Sequence, residues 1–471
     1  MRDFSLDRRH IVALLLIQAV VLASWLLLPV EFLLWAVGIP AVLLVICLLP
    51  LYPWIVIPAI VVATALDSAG RVVQTTALDV PVTGFHLAFV LLCASLGAHL
   101  FLTKRRSFPD LEIQAPLLMF LGCMAISLTY SPNQPEATIG FFRILFLAFF
   151  LYLMQVLVTS KLILNVTLVS VGVVLTGASV LAILQIISLE FYLPASVVSS
   201  VGANVPRASG TYHNPNIFGT FLAVGITLLA GIVMVPGMKW WKRTLLLVAI
   251  GLAAAALIIT FSRTNWISLA VGIVVLLYLA GKLRYLVYVT IAFIAINLVV
   301  MNFVPFAAYI YERFLSIFSF FLEFGADSRA SGSARVFFVV AGFMMFLDNP
   351  LLGVGWRAFP VVFKDYKPVD FPHWLPTHES HTLFATILAE LGLLGLTAAA
   401  WIAWRILAFG LRSIQSMQDP YLRGVMIAFV AVFITFQVSL TFTGEFANNF
   451  LWMFTGVMFA LPALEKTGEK S

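Results

Sequence analysis

The sequence predicts an all-α polytopic membrane protein with 12–14 transmembrane helices and one large extramembrane loop. Hydrophobic residues make up 62% and charged residues 10% of the 471 residues, and the mean hydropathy is +1.06. This composition excludes an ordinary soluble domain. Apolar runs able to cross a hydrocarbon core of about 30 Å recur along the whole chain. Because these runs lack strict polar and apolar alternation, helices are favoured over a β-barrel.

We predict 14 spans, and 12 is an open alternative because the third and fifth are short and Pro58 interrupts the third. The predicted spans are 11–28, 31–49, 51–66, 82–102, 115–130, 138–158, 162–188, 214–235, 243–261, 264–280, 284–304, 382–408, 421–442 and 446–463. The basic segment before the first span resembles the start of a signal peptide. However, the apolar run is too long for one and no small-residue cleavage site follows, so we expect a retained helix.

The distribution of positive charge predicts the orientation of the chain. With the N-terminus in the cytoplasm, 17 Lys and Arg residues fall in cytoplasmic segments and nine fall outside; in short loops alone the ratio is 17 to 3. Cytoplasmic loops carry such an excess. We therefore expect both termini in the cytoplasm and loop 304–380 on the opposite side, which is external or periplasmic. This bias explains the basic pI of 9.2 without a nucleic-acid partner.

The chain divides, on this interpretation, into four segments. Residues 1–200 form N-terminal transmembrane helices, and 201–303 form further helices that carry arginines at their outer ends. Residues 304–380 form the large periplasmic loop, and 381–471 form the C-terminal transmembrane helices. Arginines on the non-cytoplasmic side are exceptions to the excess of positive charge in cytoplasmic loops. Those on the same side as the histidines of loop 304–380 are therefore candidates for binding an anion.

The first candidate motif begins at Arg207 and leads into the eighth span through Asn214, Pro215 and Asn216. Asn is a good helix N-cap and Pro is favoured in the first turn, so the segment can be read simply as a capped helix start. Alternatively, the N–H groups at this helix end attract an anion together with Arg207.

The second motif is the short turn around Arg263, between two spans. Arg263 should lie at the outer membrane interface, where it either reaches towards lipid headgroups or binds a lipid-linked phosphate. A guanidinium suits the second role because its planar fork matches phosphate oxygens.

The third motif joins Arg335 to the apolar stretch 336–347 and then to the turn 348–355, which contains Pro and Gly. Such a stretch is too short to span a bilayer. It predicts an interfacial or re-entrant helix, which is tolerated where it lines a cavity.

The fourth motif contains His378 and His381, three residues apart, ahead of the run ending in Glu390-Leu-Gly-Leu-Leu-Gly. The pair could bind a metal, but no further ligand set stands at convincing spacing, and we predict neither a metal nor another cofactor. A histidine is a natural general base for activating a hydroxyl. Arg313, Arg329, Arg357 and His373 of the same loop are treated as ordinary solvated residues.

Two charged residues fall inside predicted spans. Arg143 and Glu390 are both costly in lipid unless they are paired or face a cavity. We expect Arg143 to face a cavity or a carboxylate, and a structural ion pair is as plausible as substrate contact. Glu390 is expected to be structural or to tune a neighbour. Arg143, Glu390 and Asn216 are therefore supporting candidates.

Together these motifs resemble the O-antigen ligase and polymerase superfamily. The matching pieces are R-x-S-G-T-x-x-N-P-N at 207–216, S-R-x-x-W at 262–266, R-x(12)-D-x-P-L-L-G-V-G at 335–355 and H-x(8)-E-L-G-L-L-G at 381–395. The resemblance covers roughly residues 200–400. It implies a GT-C-like membrane glycosyltransferase in which Arg263 and Arg335, with Arg207 nearby, hold the diphosphate of a glycan on undecaprenyl pyrophosphate.

The resemblance also implies that His381 acts in catalysis, in an inverting transfer without a metal or a nucleotide sugar. The family often has His-Asn at this point, whereas this chain has His381-Thr382. His378 therefore shares or holds the base role as an open alternative. The expected acceptor is a hydroxyl of lipid A–core or a related glycolipid. Two alternatives are kept: a polymerase with the same chemistry, and a transporter or flippase that only binds the lipid-linked glycan.

Overall fold

The structure is a computed structural model that describes residues 48–66, 71–74, 81–103, 108–193, 200–201, 205–303, 311–312, 315, 331–367, 371, 382–444 and 446–468. Helices dominate these residues. The α-helices described are α1 Val56–Ala65, α2 Gly84–Thr103, α3 Gln114–Ser127, α4 Gln134–Leu157, α5 Lys161–Ile187, α6 Pro215–Val233, α7 Trp240–Ile259, α8 Arg263–Leu279, α9 Leu286–Phe303, α10 Ser331–Asp348, α11 Phe359–Val362, α12 Leu383–Ser416, α13 Pro420–Thr443 and α14 Asn449–Gly468.

Short elements occupy some of the connections. Two antiparallel ribbons pair β1 (Arg71–Gln74) with β2 (Pro81–Thr83), and β3 (Ser200–Val201) with β4 (Val205–Pro206). Single 3₁₀ turns stand at Pro53–Ile55, Leu189–Phe191, Leu283–Tyr285 and Phe363–Asp365.

The all-α polytopic class predicted from the sequence is confirmed. Within the described residues a helix stands at each predicted span from 51–66 onward, and seven of these helices are long and apolar enough to cross a membrane. Span 11–28 lies outside the described residues, and span 31–49 is described only at its end. The short apolar helix predicted after Arg335 is present as α10, which begins earlier, at Ser331.

The centre of the bundle is α13, which packs against α6, α8, α12 and α14. Glycines allow the close approach. A Cβ on Gly231 of α6 would lie 2.3 Å from the Cβ of Ala428, and one on Gly272 of α8 would lie 2.0 Å from Thr435 Oγ1. Small residues at such crossings let helix backbones approach closely, which strengthens packing between transmembrane helices.

Side-chain contacts join helix ends that the charge pattern assigns to the same side. At the end assigned to the cytoplasm, Lys161 pairs with Asp419. Glu112 Oε1 lies 2.7 Å from Arg412 Nη2 and 3.1 Å from Arg405 Nη2. These pairs agree with the alternation of sides on which the predicted orientation rests.

The contacts divide the chain into two compact units, residues 1–56 with 88–107, and residues 57–87 with 108–471. In the first, Ser95 Oγ donates a 2.5 Å hydrogen bond to the Leu49 carbonyl, and a ring nitrogen of His99 lies 3.0 Å from the Pro50 carbonyl. All the candidate site residues that the structure describes belong to the second unit.

Candidate functional site

The first turns of α6 and α8 lie against each other, and the buried side chain of Asn265 joins them. Its Nδ2 donates to the Asn216 carbonyl at 2.7 Å and to Ser262 Oγ at 2.9 Å. Its Oδ1 accepts from Thr220 Oγ1 at 3.1 Å and from Ser439 Oγ at 2.8 Å. The side chain thus connects α6, α8 and α13, and two positive helix ends meet at one place.

The start of α6 is capped as the sequence predicts. Asn214 is the N-cap, its Oδ1 accepts from the backbone N–H of Asn216 at 2.8 Å, and Pro215 follows at the first helical position. Gly219, one turn later, leaves room for the Asn265 amide, because a Cβ there would lie 2.5 Å from Nδ2. The predicted N-cap at Asn214 is therefore present, and the alternative that this helix end also attracts an anion stays a prediction.

Arg207 connects this helix start to the Arg263 turn. Its Nε donates to the Thr260 carbonyl at 2.8 Å, and its Nη2 donates to Asn216 Oδ1, also at 2.8 Å. The Tyr192 hydroxyl donates to the Arg207 carbonyl at 2.9 Å. Burial raises the pKa of Tyr192 to about 12, while the charge of Arg207 acts in the opposite direction. Arg207 is thus half-buried and held at both its backbone and its guanidinium.

The turn between α7 and α8 is strained. Phe261 adopts a φ of +53°, which non-glycine residues seldom occupy, and Ser262 follows as the N-cap of α8. Arg263 is the first residue of α8 and is partly buried. This tight reversal places a guanidinium at the start of a helix, beside the Arg207 contact at Thr260.

The side chain of Gln185 also holds the loop before α6, through hydrogen bonds to the backbone of Ser209 and Gly210. Its Oε1 accepts from the backbone N–H groups of Ser209 and Gly210 at 3.0 and 2.8 Å, and its Nε2 donates to the Gly210 carbonyl at 2.8 Å. Gly210 has a φ of +56°, and a Cβ there would lie 2.5 Å from the Phe218 ring. These hydrogen bonds fix the loop formed by the R-x-S-G-T segment, and its Gly is required by both conformation and space.

A second cluster surrounds Glu390, whose side chain is almost fully buried. Its two carboxylate oxygens accept from the backbone N–H groups of Arg357, at 2.9 Å, and Phe359, at 3.0 Å. Glu390 is 1% exposed. Among the roles expected for it, the structural one matches these contacts.

The two Gly-rich motifs of the sequence pair with each other through their backbones. Val354 N donates to the Ala389 carbonyl at 2.9 Å, and Gly355 N to the Glu390 carbonyl at 3.0 Å. Gly392 interrupts α12 with φ +62° and ψ −159°, and a Cβ there would lie 2.5 Å from the Leu351 carbonyl carbon. P-L-L-G-V-G and E-L-G-L-L-G therefore form one structural unit.

Arg143 faces a cavity, which is one of the two environments expected for it. The cavity has a volume of about 140 Å³, and its lining includes Trp356, Arg357 and Glu390. Arg143 Nη2 donates to the Ala447 carbonyl at 3.2 Å. No Arg143–carboxylate ion pair occurs within the described residues.

The remaining site residues are described less fully. Arg335 lies in the N-terminal part of α10, but only its backbone is described. His378 and His381 lie outside the described residues, as does His373. Their proposed roles stay predictions from the sequence.

Sequence reasoning gave no role to Asn265, Gln185 or Trp356, and it treated Arg357 as an ordinary loop residue. One signal was available for the first two, because an amide side chain within a predicted span requires partners. Arg357 and Trp356 carried no comparable signal, since their burial depends on the fold of the loop around them.

Residues 248–400 match the family model described as O-antigen ligase. The match includes Arg263, Arg335, His378, His381 and Glu390 and confirms the resemblance drawn from the motifs. No curated protein sequence matches the chain.

Proposed function

We propose that this protein transfers a glycan from undecaprenyl pyrophosphate to an acceptor hydroxyl, because residues 248–400 match the family model described as O-antigen ligase. The acceptor is lipid A–core or a related surface glycolipid. The reaction takes place at the periplasmic face of the bacterial inner membrane, with both termini in the cytoplasm. This assignment of faces rests on the excess of Lys and Arg in the cytoplasmic loops.

The observation that supports this proposal best is the meeting of two helix N-termini beside two arginines. The starts of α6 and α8 are joined at Asn265, and Arg207 and Arg263 lie at the same place. Helix N-termini and guanidinium groups both favour bound phosphate. A lipid-linked diphosphate would reach this position from the membrane with its chain between the helices.

The chemistry requires stabilisation of the leaving group. The acceptor oxygen forms a bond to the anomeric carbon while the bond from that carbon to the diphosphate oxygen breaks, and the electron pair leaves with undecaprenyl pyrophosphate. The guanidinium groups of Arg263 and Arg335, with Arg207 in support, stabilise the negative charge that develops on the diphosphate. Attack from the face opposite the leaving group inverts the anomeric centre.

The acceptor hydroxyl also needs a base. In the proposal His381 takes its proton, and His378 is the alternative base. The negative charge of Glu390 is engaged by the backbone N–H groups of 357 and 359, so it acts as a structural residue. The mechanism needs no metal or other cofactor.

A transfer assay tests the enzymatic reading. Purified protein in detergent is mixed with a lipid-pyrophosphate glycan and a lipid A–core acceptor, and the glycosylated acceptor is measured. The proposal expects product, together with release of undecaprenyl pyrophosphate. A transporter or flippase would bind the donor and form no product.

Gene deletion separates a ligase from a polymerase. Loss of a ligase leaves finished polymer on the lipid carrier, whereas loss of a polymerase leaves single repeat units on the acceptor. We expect accumulation of lipid-linked polymer. Single repeats on the acceptor would instead assign the protein as a polymerase.

A further inference from the structure

The cavity beside Arg143 borders a second, larger cavity. It shares Leu383, Ile387 and Phe446 with a second cavity of about 240 Å³, so the two adjoin. The second cavity lies among α12, α13 and α14 and is lined mostly by apolar residues, including Leu396, Phe433 and Trp452. The pair therefore combines a polar compartment with an apolar one.

The apolar cavity has an exposed rim. Phe384 lines it and is 55% exposed, and Ala400 and Thr441 of its lining are exposed as well. In a membrane-spanning bundle an exposed apolar helix surface contacts lipid. A hydrocarbon chain could therefore enter sideways from the bilayer.

Two arginines and one carboxylate line the polar cavity. Arg143 and Arg357 line it, and both can donate several hydrogen bonds. The Glu390 carboxylate also lines it, but its oxygens accept from the backbone of residues 357 and 359. The cavity therefore has two cationic side chains against one carboxylate that is already hydrogen-bonded.

Trp356 supplies an independent indication of a ligand. Its side chain lines the polar cavity and is 7% exposed, and its indole Nε1 has no hydrogen-bond partner within the described part of the chain. Leaving a buried N–H without a partner costs about 1–3 kcal/mol. Gly140 gives this group its space, because a Cβ there would lie 2.5 Å from Nε1. An oxygen acceptor in the cavity would remove the cost.

We propose that these adjoining cavities open to each other and bind a phosphorylated lipid, with its phosphate against Arg143, Arg357 and the Trp356 indole N–H and its hydrocarbon chain in the apolar cavity. Two sources supply this chemistry: a polyprenyl phosphate or a phospholipid of the bilayer. Among the described residues, none of those that line these cavities belongs to the group formed by Arg207, Arg263 and Asn265. The proposal does not rest on the transfer reaction.

The test is a binding titration of the purified full chain in a non-ionic detergent. The probes are farnesyl phosphate and farnesol, which has the same chain without the phosphate. Arg143→Gln and Arg357→Gln should each weaken farnesyl phosphate binding about tenfold, because each removes charged hydrogen bonds to the phosphate. Farnesol binding should be unchanged, and Arg143→Lys should recover part of the affinity.

Control variants distinguish a specific loss of phosphate binding from a general effect of removing positive charge and from misfolding. Lys242→Gln removes an exposed cation elsewhere on the chain and should leave binding unchanged. Ala399→Phe fills the apolar cavity and should weaken both probes. Unchanged farnesyl phosphate affinity in both arginine variants would overturn the proposal, as would equal weakening by Lys242→Gln.

Competition by short-chain phosphatidylglycerol at similar concentrations would assign the site to bilayer phospholipid, and failure to compete would assign it to a polyprenyl phosphate.

Discussion

The side-chain amide of Asn265 donates a 2.7 Å hydrogen bond to the backbone carbonyl of Asn216. This bond joins the first turn of α8 to the first turn of α6. It sets the spacing between the Arg263 turn and the loop that carries Arg207. Together with the contacts of Arg207 to Thr260 and Asn216, this buried side chain joins two motifs that are about 50 residues apart in the sequence.

The first prediction concerns this bond. Asn265→Ala removes the partner of Thr220, Ser439 and the Asn216 carbonyl, so we expect the free energy of unfolding to fall by about 2 kcal/mol. Thermal unfolding of the detergent-solubilised protein measures this change. Asn297→Ala is the matched control, because the Asn297 amide donates to Phe293 in its own helix. Equal stability loss in both variants would contradict the linking role.

The second prediction concerns the interruption of α12. Gly392→Ala should prevent normal folding, because the position has a φ of +62° and the new Cβ would meet the backbone of Leu351 and Leu352. Gly251→Ala in α7 should be neutral or slightly stabilising, since a Cβ there has nothing within 4 Å. The yield of monodisperse protein after size-exclusion chromatography compares them. Normal yield of the Gly392 variant would show that the two Gly-rich motifs need not pair so closely.

Replacement of the buried carboxylate gives the third prediction. In Glu390→Gln an amide NH₂ group replaces one of two oxygens that accept backbone N–H groups, so a donor would face a donor. We expect a loss of about 1–3 kcal/mol in unfolding free energy. Glu136→Gln, at an exposed position in the first turn of α4, should change stability little. If chemical denaturation gave the same small effect for both, Glu390 would not hold residues 357–359.

The fourth prediction is a pH dependence at Tyr192. Its folded-state pKa is raised to about 12 by burial, so folding favours the neutral phenol. The stability that Tyr192 contributes is fully present below the unfolded pKa of about 10 and is lost as the pH rises towards the folded value. The difference in Tm between the natural protein and Tyr192→Phe should therefore narrow between pH 10 and about 12. Tyr288→Phe, at an exposed ring, is the matched control for the loss of a phenol hydroxyl.

Much of the fold could be predicted because the length of an apolar run can be read from the local sequence. Each apolar run had to form a helix to satisfy its backbone in lipid, and the cap at Asn214 followed from residue types alone. The packing order around α13 could not be predicted in the same way. It depends on contacts such as Gly272 against Thr435, which join residues far apart in the sequence.

The site was predictable to a lesser degree. Charge counting grouped Arg207 and Arg263 on one side, and the structure brings their segments into contact at Thr260. The Arg357 backbone was not predictable, because its φ of +59° is stabilised by the distant carboxylate of Glu390. The same applies to the unpartnered indole of Trp356, whose burial arises only when residues 355–357 pack against the start of α4.

The most direct test of the central claim is the rate of glycan transfer by purified His381→Ala and Arg335→Ala proteins. The donor is a lipid-pyrophosphate glycan, the acceptor is lipid A–core, and Lys242→Gln serves as the surface control. We predict that both variants are produced at normal levels and that transfer is abolished in each, because one loses the base and the other loses a cation at the leaving diphosphate. Full transfer activity in both variants would contradict the account.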